Sequence, residues 1–244
     1  MRLAARFRRL RQIAARSLCA FSLLLITSPA AAQPAVSVSD EEVLRGDSDR
    51  PWVALVFNVG AGFEPATGIL DTLAEKEYRA TFFVLGWWAD QRPDLLRRIA
   101  DEGHEIASHG HSVFDLTQVP DAEVRADLEA ADASISRVTG QTTRPLWSPS
   151  AGYRDARVRR IASESGYRPI LWTLDSGDWT YEATAAGVYE RVITRVGNGF
   201  IVVMHFDSPT TLRSTGLVLP DVIDVLREAG YQLVTVTELL AGVP

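Results

Sequence analysis

The chain has 244 residues, 46% of them hydrophobic, and a formal net charge of −6. That composition supplies a real core and excludes a disordered chain, and no Pro/Ser/Gly-rich linker divides the length into separate domains. Six arginines fall in the first 16 residues, so the remainder carries −12, which excludes nucleic acid and argues against an anionic membrane surface as its partner.

The opening segment stands apart. "MRLAARFRRLRQIAARS" is basic without an acid, "LCAFSLLLIT" is apolar and short, and "SPAAAQPA" offers a small-residue cleavage site. Together they read as a secretory signal peptide over residues 1–32, cut after Ala32. The apolar run is short for a membrane span, and retention as an N-terminal anchor is the alternative. Cys19, the only cysteine, lies in this leader, so the mature chain has no thiol. That suits a secreted, periplasmic or extracellular protein that relies on its own core, with no membrane contact after cleavage.

Residues 33–50 are small, polar and acidic and read as a flexible lead-in to a domain over 51–244. From there strands and helices alternate. Trp52–Phe57 is an apolar, β-branched and aromatic strand, followed by a helix over 64–77. "RATFFVL" is the next strand. "DQRPDLLRRIADEG" has helical spacing and ends in the capping glycine Gly103. "HEIASH" is a short strand. An amphipathic helix runs from Asp121, its expected N-cap, to Gly140. Pro145–Trp147 is a strand, 155–166 a helix, and Tyr167–Leu174 a strand. A helix over 185–196, the strand Gly199–His205, the helix "LPDVIDVLREAG", the strand "YQLVTV" and a short helix "TELLAG" complete the chain. Such alternation predicts a parallel sheet covered by helices, and seven to eight units point to a barrel, whole or incomplete.

In that architecture chemistry belongs at the carboxyl ends of strands. Those ends hold Asn58 and Val59, His109 and His111, Ser148, the group Asp175, Asp178 and Trp179, and finally His205 and Asp207. Three of the four histidines thus share one face, which turns the reading from structural histidines towards a site.

The order of these pieces resembles the polysaccharide deacetylases of carbohydrate esterase family 4, the NodB homology domain. "RATFFVLGWWADQRPDLLRRIADEGHEIASH", "LDSGDW" and "VVMH" carry the resemblance, which runs from about Val53 to Leu240. It implies an α/β fold, a deformed or incomplete (β/α) barrel of about seven parallel strands. It also implies a divalent metal, usually zinc, and hydrolysis of acetyl groups on chitin-like or peptidoglycan-like glycans. In that family a carboxylate base activates a metal-bound water and a histidine protonates the leaving group.

Set position by position on that pattern, the chain departs from it. Where the family has T-F-D-D-G the sequence has Val56, Phe57, Asn58, Val59, Gly60. Asn58 replaces the base and cannot take a proton from water; Val59 replaces a metal ligand and has no donor atom. In the two-histidine motif His109 is kept and the second position falls on Val113. In the R-x-P-Y motif the arginine becomes Ser148 and the tyrosine Ala151. Losing the base and the arginine together is coherent, because a buried arginine without its carboxylate costs on the order of 3–5 kcal/mol. His205 matches the proton donor, and either Asp175 or Asp178 its orienting carboxylate. Trp179 and Trp147, with Ser148 beside them, are candidates for lining a sugar groove.

Three functions follow. The first is a secreted deacetylase-like pseudoenzyme of carbohydrate metabolism, without a cofactor, that binds glycan or another envelope component. The second is an active carbohydrate deacetylase whose zinc or other divalent metal has moved to His109 and His111, with Asp115 or Asp207 near in sequence. H-x-H turns its side chains apart on an extended segment, so this needs a bend at Gly110. The third is a structural envelope protein with no ligand, which a missing or filled groove would favour.

Overall fold

A computed structural model describes residues 39–241. The signal peptide, its cleavage point, Cys19 and the first part of the lead-in lie outside the described residues.

Eight short strands alternate with eight helices: β1 Trp52–Val59, α1 Ala66–Glu75, β2 Thr81–Val84, α2 Gly86–Gln91, α3 Pro93–Asp101, β3 Glu105–Ser108, α4 Asp121–Thr139, β4 Leu146–Trp147, α5 Ala156–Glu164, β5 Arg168–Pro169, β6 Leu174–Asp175, α6 Ala185–Arg195, β7 Phe200–His205, α7 Thr215–Glu228, β8 Gln232–Leu233 and α8 Val236–Leu239. The sheet order is β5-β4-β3-β2-β1-β7-β6, every pairing is parallel, and β8 joins the start of β1. The result is the expected incomplete barrel, curled and open between β5 and β6.

The central strands β1 and β7 are buried almost throughout, which accounts for their near-continuous apolar sequences. Side chains alternate between two cores. The outward row of β1, Val53, Leu55, Phe57 and Val59, packs with helix residues such as Ile69, Leu96, Val192 and Leu219. The inward row, Ala54 and Val56, fills the barrel with Phe83, Ala107, Leu146, Ile201 and Val203, closed below by Leu239 and Leu240. This period of two decides what each strand presents at its carboxyl end.

Three expectations need correction. The strand expected over Tyr167–Leu174 divides into β5 and β6, because Pro169 has no N–H to continue a ladder and the chain must pass from β4 to β7 across the open side. The helix expected over 90–103 breaks at Arg92, before Pro93, into α2 and α3. Asp121 sits in the first turn of α4 rather than capping it; Pro120 holds the N-cap position, and Gly140 closes the helix in the left-handed region as expected. The described part of the lead-in is also not loose. Val43 bridges Ile170 and Arg45 bridges Phe200, so this segment lies along the open side of the barrel, and Glu42 accepts from Arg154 at 2.5 and 3.1 Å.

Candidate functional site: the cleft at the strand ends

Asn58, His109 and His205 continue the inward rows of β1, β3 and β7 beyond the barrel filling, so all three face the mouth. Asn58 and His205 are direct register partners. A cavity of about 280 Å³ opens there, lined by Asn58, Val59, Gly60, Ala61, Leu85, His109, Val113, Ser150, Ala151 and His205. A second of about 210 Å³ adjoins it through Asn58, Ala151 and His205, and adds Trp172, Asp175, Trp179 and Val203.

His205 is the best-supported polar group. Its Nδ1 lies 2.8 Å from one oxygen of Asp178, and its backbone N–H donates to the other at 2.8 Å. Thr215 adds a hydroxyl donor to that second oxygen at 2.6 Å. Asp178 is fully buried and fully satisfied. Burial alone would lower the His205 pKa, but the hydrogen bond and charge of Asp178, with Asp175 and Asp207 nearby, outweigh it and the net shift is upward. Of the two candidate carboxylates Asp178 is therefore the partner. Asp175 turns elsewhere: it accepts from the Gly177 N–H at 2.7 Å and from the Trp179 indole N–H at 3.2 Å.

His109 is held differently. Its Nδ1 meets the Ser148 carbonyl at 2.7 Å. A carbonyl only accepts, so Nδ1 carries the proton and Nε2 keeps its lone pair. Burial pushes its pKa down to about 4, so the ring is neutral at physiological pH. Asn58 is buried, and its side-chain oxygen has no hydrogen-bond partner among the described residues.

His111 does not join His109. Its ring packs against Gly86, where even a β-carbon would come within 2.3 Å of Nδ1. Asp127 fixes that bend by accepting from the His111 and Ser112 N–H groups at 2.9 and 3.0 Å. The bend at Gly110 thus exists but carries His111 towards α2 and α4 instead of into the cleft. Asp115 caps the short turn Leu116–Gln118. Asp207 is buried and accepts from Gly60 and Ala61 N–H groups at 2.9–3.2 Å, pinning the cleft wall. Gly62 must be small there, since a β-carbon would meet the Asp207 carbonyl at 2.4 Å.

These placements bear on a metal. Val59 and Val113 line the cavity without a donor atom, Asn58 is neutral, and His109 stands alone. Among the described residues no three His, Cys, Asp or Glu side chains are grouped to hold an ion. A single imidazole does not make a zinc site, and the residues present do not fit the family's metal.

The groove residues also need revision. Trp147 is on the outward row of β4 and is fully buried with Val124, Leu128 and Tyr167, away from the cleft. Ser148 is buried, and its backbone carbonyl, rather than its side chain, serves the site through His109. Trp179 does line the cleft, and so does Trp172, which the sequence places within the expected strand Tyr167–Leu174. Only the break between β5 and β6 frees Trp172, and Pro169 was its one available signal. Thr215, the third partner of Asp178, had no signal in the sequence.

A family model for polysaccharide deacetylase matches residues 45–170. The chain is 32% identical to the uncharacterized protein YlxY of Bacillus subtilis over 84% of its own length and 62% of that protein's. It is 32% identical to the peptidoglycan-N-acetylglucosamine deacetylase PgdA of Listeria monocytogenes over 83% of its length, spanning 41% of that protein. Among solved structures it resembles wild-type BA3943, a CE4 family pseudoenzyme from Bacillus anthracis, with a TM-score of 0.76 and 28% identity over 83% of this chain and 69% of that one. A BA3943 mutant with restored enzymatic activity gives a TM-score of 0.77 at 27% identity over 83% and 72%. With its incomplete barrel, its histidine–aspartate pair at the strand ends and these relatives, the chain belongs to the polysaccharide deacetylase family.

Proposed function

We propose that this chain is an exported, deacetylase-like protein that binds glycan at the strand-end cleft and does not release acetate by the metal-assisted route of its family. One observation carries the reading: the positions that match the family's base and two of its metal ligands hold Asn58, Val59 and Val113, all in the wall of an open cavity. Hydrolysis of an amide at neutral pH needs an activated water, and neither an amide nor a valine activates one. The ligand class follows from the relatives, one of which is a peptidoglycan-N-acetylglucosamine deacetylase, and from the aromatic wall of Trp172 and Trp179. BA3943 offers a precedent, since a pseudoenzyme and an activity-restored mutant share this fold.

A relocated metal on His109 and His111 is not favoured, because their rings face different surroundings. A protein with no ligand is not favoured either, because the cleft is open. The test is retention of the mature protein on insoluble peptidoglycan and on chitin, with soluble oligosaccharides as competitors. Specific retention that falls in Trp179→Ala is expected; no retention on either polymer would remove the glycan reading.

A further inference from the structure

Of eight exposed large apolar side chains among the described residues, six, Phe63, Val113, Tyr153, Trp179, Tyr181 and Leu212, lie on segments that follow strands, on the cleft's own face; Leu44 in the lead-in and Leu217 on α7 are the other two. Single exposed apolar residues are ordinary, but six converging on one face mark an interaction surface.

Tyr181 stands out, being 84% exposed and yet held in place. The Arg213 guanidinium lies 5.6 Å from its ring centroid. The same arginine donates to the Tyr181 carbonyl, and to the Ala183 carbonyl at 3.3 Å. Two residues earlier Trp179 is 56% exposed and is fixed by Asp175. An aromatic side chain left to water gains nothing for the core. Pinning it lowers the ordering cost of binding, as in other recognition surfaces built on rigid aromatics.

The loop presents two flat, uncharged faces in succession, the inner one in the cleft wall and the outer one on the rim. Pyranose rings match such faces: their C–H surfaces are apolar and their hydroxyl edges stay in water. We infer that Tyr181, backed by Arg213, is an outer subsite that receives a second sugar ring of a glycan whose first ring lies against Trp179. This rests on the glycan reading above. A protein partner would also use tyrosine, but the run from cleft to rim along one loop favours a ligand that extends out of the cleft.

The test is calorimetric titration of the mature protein with N-acetylglucosamine disaccharide and pentasaccharide. The pentasaccharide should bind roughly five- to tenfold more tightly, and Tyr181→Ala should collapse that ratio while Tyr181→Phe keeps it. Equal affinity for both lengths, or an unchanged ratio in Tyr181→Ala, overturns the subsite and leaves glycan binding standing. No binding at either length overturns the glycan reading itself. Saccharide binding that ignores Tyr181, together with Tyr181-dependent capture of an envelope protein, would assign the rim to a protein instead.

Discussion

Asn58 and His205 are register partners on the adjacent strands β1 and β7, and both side chains point inward at the mouth of the barrel. The histidine–aspartate pair at the strand ends therefore stands directly beside a neutral amide. Asp178 has three hydrogen bonds here, two with His205 and one from Thr215, while the Asn58 side-chain oxygen has no partner among the described residues.

The Asp178 pair should dominate the local stability. Asp178→Ala leaves the His205 N–H and ring nitrogen buried without an acceptor and should cost about 3–5 kcal/mol in denaturant unfolding. The pair also sets a pH dependence. The folded pKa of His205 is raised, so its contribution is complete below the unfolded value of 6.5 and is lost as pH rises through the folded pKa. In Asp178→Asn the His205 pKa should fall, as followed by the ring-proton NMR shifts, and the stability gained at low pH should shrink with it.

Asp207 should give an independent pH signature. Burial raises its pKa from 3.8 to about 6, against the opposing N–H bonds of Ala61 and Gly60. A raised carboxyl pKa means stability that is full below 3.8 and lost as pH climbs through about 6. Comparing thermal unfolding at pH 4 and pH 8, Asp207→Asn should remove a difference on the order of 2–3 kcal/mol. An identical pH profile in the variant would mean that Asp207 is not the titrating group.

The two tryptophans first paired as groove candidates should separate cleanly. Trp147→Ala empties a large outward-core position and should cost about 3–5 kcal/mol. Trp147→Phe should cost far less, because the buried indole N–H has no hydrogen-bond partner among the described residues to lose, and it should leave glycan retention intact. Trp179→Ala should do the reverse, with near-native unfolding and weakened retention.

The contrast between those residues shows what the sequence made legible. Strand boundaries, read from Trp52–Phe57 and "GFIVVMH", put Asn58 and His205 at strand ends, where the structure has them, and motif order identified the family. Strand phase was an unused signal for Trp147, since its neighbour Leu146 fills the barrel and Trp147 must point the other way. Trp172 was hidden for another reason. A strand that leaves one neighbour for another at the open side of a barrel has no periodic signature of its own. His111 and Asp178 turned on loop geometry: Asp127, sixteen residues beyond His111 in sequence, sets the direction of the first, and Thr215 helps to fix the second.

The central claim concerns water activation at the Asn58 position, and acetate release tests it most directly. Purified protein would be given N-acetylglucosamine oligomers and peptidoglycan with added zinc, and acetate measured by an enzyme-coupled assay, for the wild type and for Asn58→Asp. Neither should exceed the protein-free rate, because Asn58→Asp restores a base while Val59 and Val113 still leave His109 as a lone ligand. Zinc-dependent acetate release by either protein, abolished by His109→Ala, would contradict the account and return the chain to the working deacetylases.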